Sequence, residues 1–525
     1  MFAATGEKIK TSGESGGRYM SQIRVSNLTF AYEGSPYDVL KNVSFNIDTD
    51  WKLGLIGRNG KGKTTLCNLL LGKYSYQGSI ISSVHFDYFP FKVNETDLEK
   101  TADELISIWK PQVESWQVLI QMKEIKMDPE CLYRPFKTLS HGERTRVMLA
   151  ALFAGENEFL LIDEPTNHLD IKARKIVKEY LAKKKGFILI SHDRDLLDAV
   201  CDHVLVFNKA TVEVQTGNFS SWWDNKQKKD AFSTAENEKH LKEIGKLRES
   251  IKRSRSWADK NESTKIGFDP VKEHDRCIST RAVIGAKTKK MQSRVQSYEK
   301  RVDREIEEKE GLLQDIEKVV DLKLKPLVFH KETLIEARDL KLSYEGGKEL
   351  FDGLTFKVKR GDRIILSGEN GCGKSSVIKA IFQVLNEKNK ASLIIDGRFL
   401  VPSGLIISYI NQDTSGLKGK LHDFCIERNI DKSLLLAILR QLDFEREQFD
   451  KKMEDFSEGQ KKKVLIASSL LTPAHLYIWD EPLNYIDVFS RMQIEKLILQ
   501  YKPTMLLVEH DVRFQEKIAT EVVRL

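Results

Sequence analysis

The sequence predicts an α/β protein: two tandem domains of one plan, joined by a long α-helical hairpin. Three observations carry that expectation. A glycine-rich loop follows an apolar run twice, as GRNGKGKTT from Gly57 and as GENGCGKSS from Gly368. An Asp-Glu pair closes a second apolar run in each half, as FLLIDEP at Asp163–Glu164 and LYIWDEP at Asp480–Glu481. Between the halves lie about a hundred residues that have helical periodicity and none of these motifs.

Length and composition agree. A chain of 525 residues is too long for one core. With 41% hydrophobic and 31% charged residues it reads as a water-soluble globular class. The net charge of +7 permits nucleic acid as a partner without requiring it. None of the six cysteines forms a CxxC pair, which argues against a zinc or dithiol motif and suits a reducing cytosol. No run of 18 apolar residues spans a membrane, and the N-terminus has no secretory h-region. Residues 1–19 are expected to be a disordered tail or a mis-annotated leader, with Met20 the true start, because they are rich in Gly, Ser and charge.

Each glycine-rich loop fits G-x-x-x-x-G-K-[ST] in a strand–loop–helix context. Glycines let backbone N–H groups close on phosphate oxygens, and the following helix points its positive end at the anion. The loop residues are therefore Gly57, Asn59, Gly60, Gly62, Lys63, Thr64 and Thr65 in the first half, and Gly368, Asn370, Gly371, Gly373, Lys374, Ser375 and Ser376 in the second. The lysines would reach the β and γ phosphates, with Thr64 and Ser375 on Mg²⁺. Asp163 lies 100 residues after Lys63, and Asp480 lies 106 after Lys374; both are expected to hold Mg²⁺. Glu164 and Glu481 would polarise the attacking water. His192 in ILISHDR and His510 in LLVEHDV end a further apolar run, 29 and 30 residues past those aspartates, and are expected near the γ-phosphate. LSHGE and FSEGQ open basic helices, so Ser140, Gly142, Ser457 and Gly459 would present a hydroxyl and N–H groups to an anion, or simply cap those helices.

These motifs resemble those of the ABC ATPases. The resemblance implies two ATP molecules, each held between one domain's phosphate loop and the other's S-x-G-[EQ] segment, within a single monomeric chain. It also implies D-loops at NHLD and NYID with Asp170 and Asp487, and adenine-stacking aromatics at Tyr32 and Tyr344. Gln412 matches the family's Q-loop glutamine, a further Mg²⁺ contact, whereas the first half has Phe91 there. Two sites of unequal kinetics are therefore expected. His141 and Glu458 replace the usual middle glycine of S-G-G.

Expected boundaries are 20–223 and 326–525 for the two ATPase domains and 224–325 for the hairpin, with a tip at about 258–283. Phe232, Ala235, Leu241, Ile244, Leu247 and Ile251 recur at helical spacing from Asp224 to about Trp257, and a second helix is expected from about Ile284 to Leu322. About 34 helical residues rise about 50 Å. Residues 251–300 hold 13 Lys and Arg against 6 Asp and Glu. RAVIGAKTKKMQSR (281–294) has five cations and no acid. Such clustering favours a phosphate backbone, so Lys252, Arg253, Arg255, Trp257, Arg281, Lys287, Lys289, Lys290 and Arg294 are candidate RNA contacts, with Phe268 as a second stacking ring.

Two fused ABC domains with LSHGE, LLIDEPTNHLD and SHDR resemble the ABC-F class of ribosome-binding translation factors. The intervals Phe91–Ser140 and Gln412–Ser457, 49 and 45 residues, leave no room for the arm of some subclasses, and only 15 residues follow His510. This pattern resembles the antibiotic-resistance subclass, and FAYEGSPYDVL, LYRPFKTLS and GNFSSWW resemble its lincosamide, streptogramin A and pleuromutilin branch. The resemblance implies a cytoplasmic, ribosome-associated ATPase. Its partners would be the exit-site region of the 70S ribosome, with its 23S rRNA, and the peptidyl-site tRNA, and its linker would dislodge drug from the peptidyl-transferase center. The alternatives are a housekeeping factor that rescues stalled ribosomes and the ATPase subunit of an exporter.

Overall fold

The computed structural model describes residues 22–33, 38–155, 158–167, 169–207, 212–263, 289–290, 293–306, 326–344, 349–385, 393–442, 444 and 446–525. The chain divides into two units: Met1–Trp222 with Val320–Leu525, and Trp223–Val319. The expected tail at residues 1–19 lies outside the described residues.

The first unit contains the duplicated α/β fold. In the first half, a sheet runs in spatial order His85–Phe89, Glu158–Asp163, Phe187–Ile190, Lys52–Gly57, His203–Phe207 and Val212–Thr216. In the second half the order is Ile407–Ile410, Leu476–Asp480, Met505–Val508, Arg363–Ser367 and Glu521–Arg524. All neighbours pair in parallel except the last two strands of the first sheet. Such strands are buried on both faces, which is why FLLI, FILI, LYIW and MLLV read as unbroken apolar runs. A smaller antiparallel sheet accompanies each: Leu40–Asp48, Gln22–Phe30 and Gln77–Ile81, and Glu349–Lys359, Thr333–Tyr344 and Leu393–Leu400.

This order places three motifs side by side. The carboxylate strand, the histidine strand and the phosphate-loop strand are consecutive neighbours in both halves, so their C-terminal ends form one ledge. Ligand sites in parallel sheets lie at such ends.

In the second unit, the helix Phe219–Ser263 runs 45 residues, starting within the first unit. It is longer than expected: it starts before Asp224 and continues past Trp257. ADKNES contains neither Gly nor Pro, so nothing local stops the helix there. Residues 258–263 of the expected tip are therefore helical, and 264–288 lie outside the described residues. Residues 293–306 are helical, as expected for part of the return helix. Ile244, Val302 and Ile306 form a small core with Leu247, Ile251 and Tyr298, and Ser250 Oγ lies 3.1 Å from Tyr298 Oη.

Candidate active site

Each phosphate loop is shaped by glycine. Gly60, Gly62, Gly371 and Gly373 have φ of 81°, 92°, 82° and 104°, the left-handed region that side chains disfavour. A Cβ on Gly57 would sit 2.8 Å from Phe207 Cβ, and one on Gly368 would sit 2.6 Å from Cys372 Sγ. The helices Lys63–Leu70 and Lys374–Leu385 follow directly. Lys63 Nζ donates to Gly57 O at 2.5 Å and Arg58 O at 3.2 Å, and Lys374 Nζ to Gly368 O at 3.0 Å and Glu369 O at 2.7 Å. Both ammonium groups are thus buried among loop carbonyls.

The strand ends meet these loops. Thr64 Oγ1 donates to Asp163 Oδ2 at 3.2 Å, and Ser375 Oγ to Asp480 Oδ2 at 2.9 Å. Among the described residues, no cluster of three or more His, Cys, Asp or Glu could hold a metal. A hydroxyl and a carboxylate at each site instead suit Mg²⁺, which takes its other ligands from phosphate and water. The remaining oxygen of Asp480, Oδ1, is buried without a partner, as such a site requires. Burial raises the carboxyls of both Asp163 and Asp480.

Glu164 and Glu481 turn the chain at φ 51° and 47°, each held by its N–H on the histidine strand (Ile190 O at 2.8 Å, Val508 O at 2.9 Å). Their surroundings differ. Glu481 Oε2 accepts from Gln412 Nε2 at 3.0 Å and Asn484 Nδ2 at 2.8 Å, and its Oε1 lies 3.7 Å from His510 Nε2. Burial pushes Glu481 up, but His510, Asn484 and Lys374 outweigh it, so its carboxyl lies below the usual value. Among the described residues, no side-chain amide bonds to Glu164. His192 Nε2 lies 3.3 Å from Oε1 and His192 N donates to Oε2 at 3.4 Å. Burial, followed by the neighbouring Asp163, pushes Glu164 up to about 8. Burial and the charges of Lys63 and Arg491 hold His192 well below the ordinary histidine value, hence neutral.

Phe91 does not substitute for Gln412. It stacks on Trp109, with centroids 4.8 Å apart. Instead Tyr88, three residues earlier, donates to Asp163 Oδ2 at 3.0 Å. Gln412 bonds to Glu481, whereas Asp480 bonds to Ser375. Gln412, expected as a Mg²⁺ contact, thus lies within hydrogen-bond reach of the second-site glutamate. Tyr32 and Tyr344 place their hydroxyls 2.8 and 3.0 Å from Thr65 and Ser376, beside the loops. Tyr32 is 42% exposed, so its ring is open to a ligand.

The S-x-G-[EQ] segments are helix caps and also face the opposite domain. Ser140 and Ser457 form capping boxes with Glu143 and Gln460. Gly459 packs against Tyr485 O, which accepts from Asn59 Nδ2 at 3.1 Å. The first phosphate loop is thereby met by the second domain's Gly459 and D-loop. The second phosphate loop faces a cavity of about 430 Å³, lined also by His141, Leu169 and Arg174 of the first domain. Lys172 of the first domain in turn pairs with Glu369 of the second phosphate loop, so each loop is met by the opposite domain.

Sequence reasoning missed Tyr88, Asn484, Tyr485 and Arg491, whose contacts depend on which segments of the chain meet. Of the linker candidates, Lys252, Arg253, Lys289, Lys290 and Arg294 are exposed, and Arg253 pairs with Glu249 at 2.7 Å. Arg255 and Trp257 lie in the long helix, but their side chains are outside the described ones; Arg281, Lys287 and Phe268 are outside altogether.

The ABC transporter family model matches residues 40–167 and 351–484. The chain is 26% identical to "Ribosome protection protein VmlR" of Bacillus subtilis, over 93% of this chain and 84% of that protein. It is 23% identical to "ABC transporter F family member 2" of Arabidopsis thaliana, over 98% and 78%. It is 25% identical to "ATP-binding protein Uup" of Buchnera aphidicola, over 95% and 80%. Among solved structures, archaeal ribosome recycling factor aABCE1, in its complex with stalk protein aP1, shares the fold at TM-score 0.59 and 18% identity, over 95% of this chain and 87% of that one. No helix among the described residues is long and apolar enough to cross a membrane. The two halves are ABC ATPase domains, and the chain is a tandem ABC ATPase, an ATP hydrolase with both of its nucleotide-binding domains in one polypeptide.

Proposed function

We propose that this protein is an ABC-F ATPase that binds the ribosome and protects its peptidyl-transferase center from lincosamides, streptogramin A and pleuromutilins. The observation that carries this reading is the 45-residue helix leaving the ATPase unit, with exposed Lys252, Arg253, Lys289, Lys290 and Arg294. A transport ATPase needs no such element, whereas a phosphate backbone rewards it. The similarity to a ribosome protection protein extends over 93% of the chain and supports the same assignment.

In this reading Lys63 and Lys374 exchange loop carbonyls for phosphate oxygens. Thr64 with Asp163, and Ser375 with Asp480, hold Mg²⁺, which supplies charge neutralisation when bound. Glu164 and Glu481 orient the water, and His192 and His510 contact the γ-phosphate. Tyr32 and Tyr344 stack on adenine. Ser140 and Gly142 complete the second site, and Ser457 and Gly459 the first. ATP closes the domains on the ribosome, the hairpin displaces tRNA at the exit site and thereby the drug, and hydrolysis releases the protein. Trp257, Arg255, Arg281 and Lys287 join the exposed cations on rRNA and tRNA.

The test is growth inhibition by lincomycin, tiamulin, virginiamycin M, erythromycin, chloramphenicol and linezolid. Strains would lack the gene or express wild type, Glu164→Gln/Glu481→Gln, or a deletion of 258–283. Protection against the first three drugs, lost in both variants, is expected. The second reading is a housekeeping factor for stalled ribosomes. That reading predicts no drug protection but stable co-sedimentation of the double Gln variant with ribosomes. An exporter subunit would not co-sediment.

A further inference from the structure

The first turn of the long helix is fastened in a way that ATP hydrolysis does not require. Ser220 N donates to Asp198 Oδ1 at 2.7 Å and Ser220 Oγ to Oδ2 at 2.5 Å, so Asp198 caps a helix that begins about twenty residues later in the chain. The second domain claims the same groups. Arg513 Nη2 lies 2.5 Å from Asp198 Oδ2, and Nη1 donates to Ser220 Oγ at 3.1 Å. Arg513 stands three residues after His510, on the helix Val512–Ile518.

A second fastening reaches the other nucleotide site. Trp222 packs edge-on against Phe489 at 6.0 Å, and Phe489 stands two residues after the D-loop Asp487. Arg58, in the first phosphate loop, lies over the same ring at 6.0 Å. The duplication does not reproduce the Arg513 contact. Asp195 occupies the position of Arg513 in the first domain and pairs with Lys178 of its own domain at 2.6 Å.

We propose that Arg513 and Phe489 are positioning residues that couple the occupancy of the two nucleotide sites to the base of the long helix. Arg513 rides on the element that follows His510, and Phe489 on the element that follows the D-loop. Charge-assisted hydrogen bonds are short and directional, so a shift of about an ångström between the domains either carries Ser220 along or breaks the contact. Asp198 is mostly buried, at 9% exposed, so breaking it costs more than losing a surface pair. The helix base thereby responds to how the second domain sits on the first.

Amide hydrogen exchange on the whole protein tests this, with and without Mg-ATP, in the Glu164→Gln/Glu481→Gln background. In that background, ATP slows exchange at residues 219–232 about fivefold, the scale of one hydrogen bond's net contribution. Adding Arg513→Gln or Phe489→Ala removes this ATP-dependent difference but keeps the ATP protection at Gly57–Thr65 and Gly368–Ser376. Arg513→Lys recovers part of it. A purely structural role would raise exchange equally in both states. The inference is overturned if ATP leaves 219–232 unchanged without the added substitutions, if the variants keep the difference, or if they also lose protection at the phosphate loops. The ribosome is absent from the measurement, so its failure would leave the ribosome reading standing, and the converse holds.

Discussion

Arg194 of the first domain and Glu495 of the second form a two-pronged ion pair inside the protein, with side chains 2% and 4% exposed. Arg194 stands two residues after His192, and Lys517 adds a second cation 3.4 Å from Glu495. At the corresponding positions of the duplicated halves stand Val512 and Lys178, and Lys178 turns to Asp195. The fastening therefore lies on the side of the first nucleotide site. Glu495→Gln leaves Arg194 buried without its full counter-charge and should destabilise the protein by about 3–5 kcal/mol. Arg194→Met with Glu495→Met should recover most of that loss. Urea denaturation of the three proteins measures both.

The signature glycines should differ in tolerance. A Cβ on Gly459 would lie 2.6 Å from Tyr485 O, a backbone atom that cannot swing away. A Cβ on Gly142 would meet Ala173 and Leu169 at 3.7 and 3.8 Å, ordinary contact. Gly459→Ala should cut steady-state ATP turnover by about tenfold or more, since an overpacked contact costs about 1–3 kcal/mol. Gly142→Ala should stay within about threefold, each variant being compared with wild type in a phosphate-release assay.

The two glutamates should give different pH profiles. Glu164, raised to about 8, is largely protonated at neutral pH and gains its charge as pH rises. Glu481 is lowered and stays ionised there. In Glu481→Gln the remaining turnover belongs to the first site and should rise from pH 7 to 9. In Glu164→Gln it belongs to the second site and should be flat over that range. Identical profiles would contradict both the assignment of the bases and the asymmetry of their surroundings.

The second D-loop should owe stability to a buried ion pair. Asp487 is fully buried and accepts from Lys463 Nζ at 2.7 Å. Burial alone would raise its carboxyl, but Lys463 and the Ser490 N–H more than offset this and hold it well below the usual range. A depressed carboxyl stabilises the fold above its unfolded value of about 3.9, and that stability is lost as pH falls through the folded value. Lys463→Met strands the carboxylate and should lower stability by about 3–5 kcal/mol at pH 7. The loss should shrink towards pH 4, because the stranded carboxyl takes up a proton there. Thermal unfolding from pH 4 to 8 reads this directly.

The sequence by itself determined the duplication, the α/β class and the strand–loop–helix setting of each phosphate loop. These depend on local patterns: glycine at left-handed turns, apolar runs for doubly buried strands, and carboxylates at strand ends. It also determined that helices lie between the halves, because periodicity is a property of one segment. It did not place the ends of the long helix, since ADKNES neither favours nor stops a helix strongly. The tertiary structure alone decided how the two sites differ. Phe91 against Gln412 marked a difference, but not that Phe91 turns to Trp109 while Tyr88 reaches Asp163. Asn59 meeting Tyr485, Arg194 meeting Glu495 and Arg513 meeting Asp198 join residues about 300 to 430 positions apart, distances over which composition and spacing carry no information. Only the packing of one domain on the other brings those charges together. Burial raises the carboxyl of the motif in both halves, and only in the second do His510, Asn484 and Lys374 outweigh it.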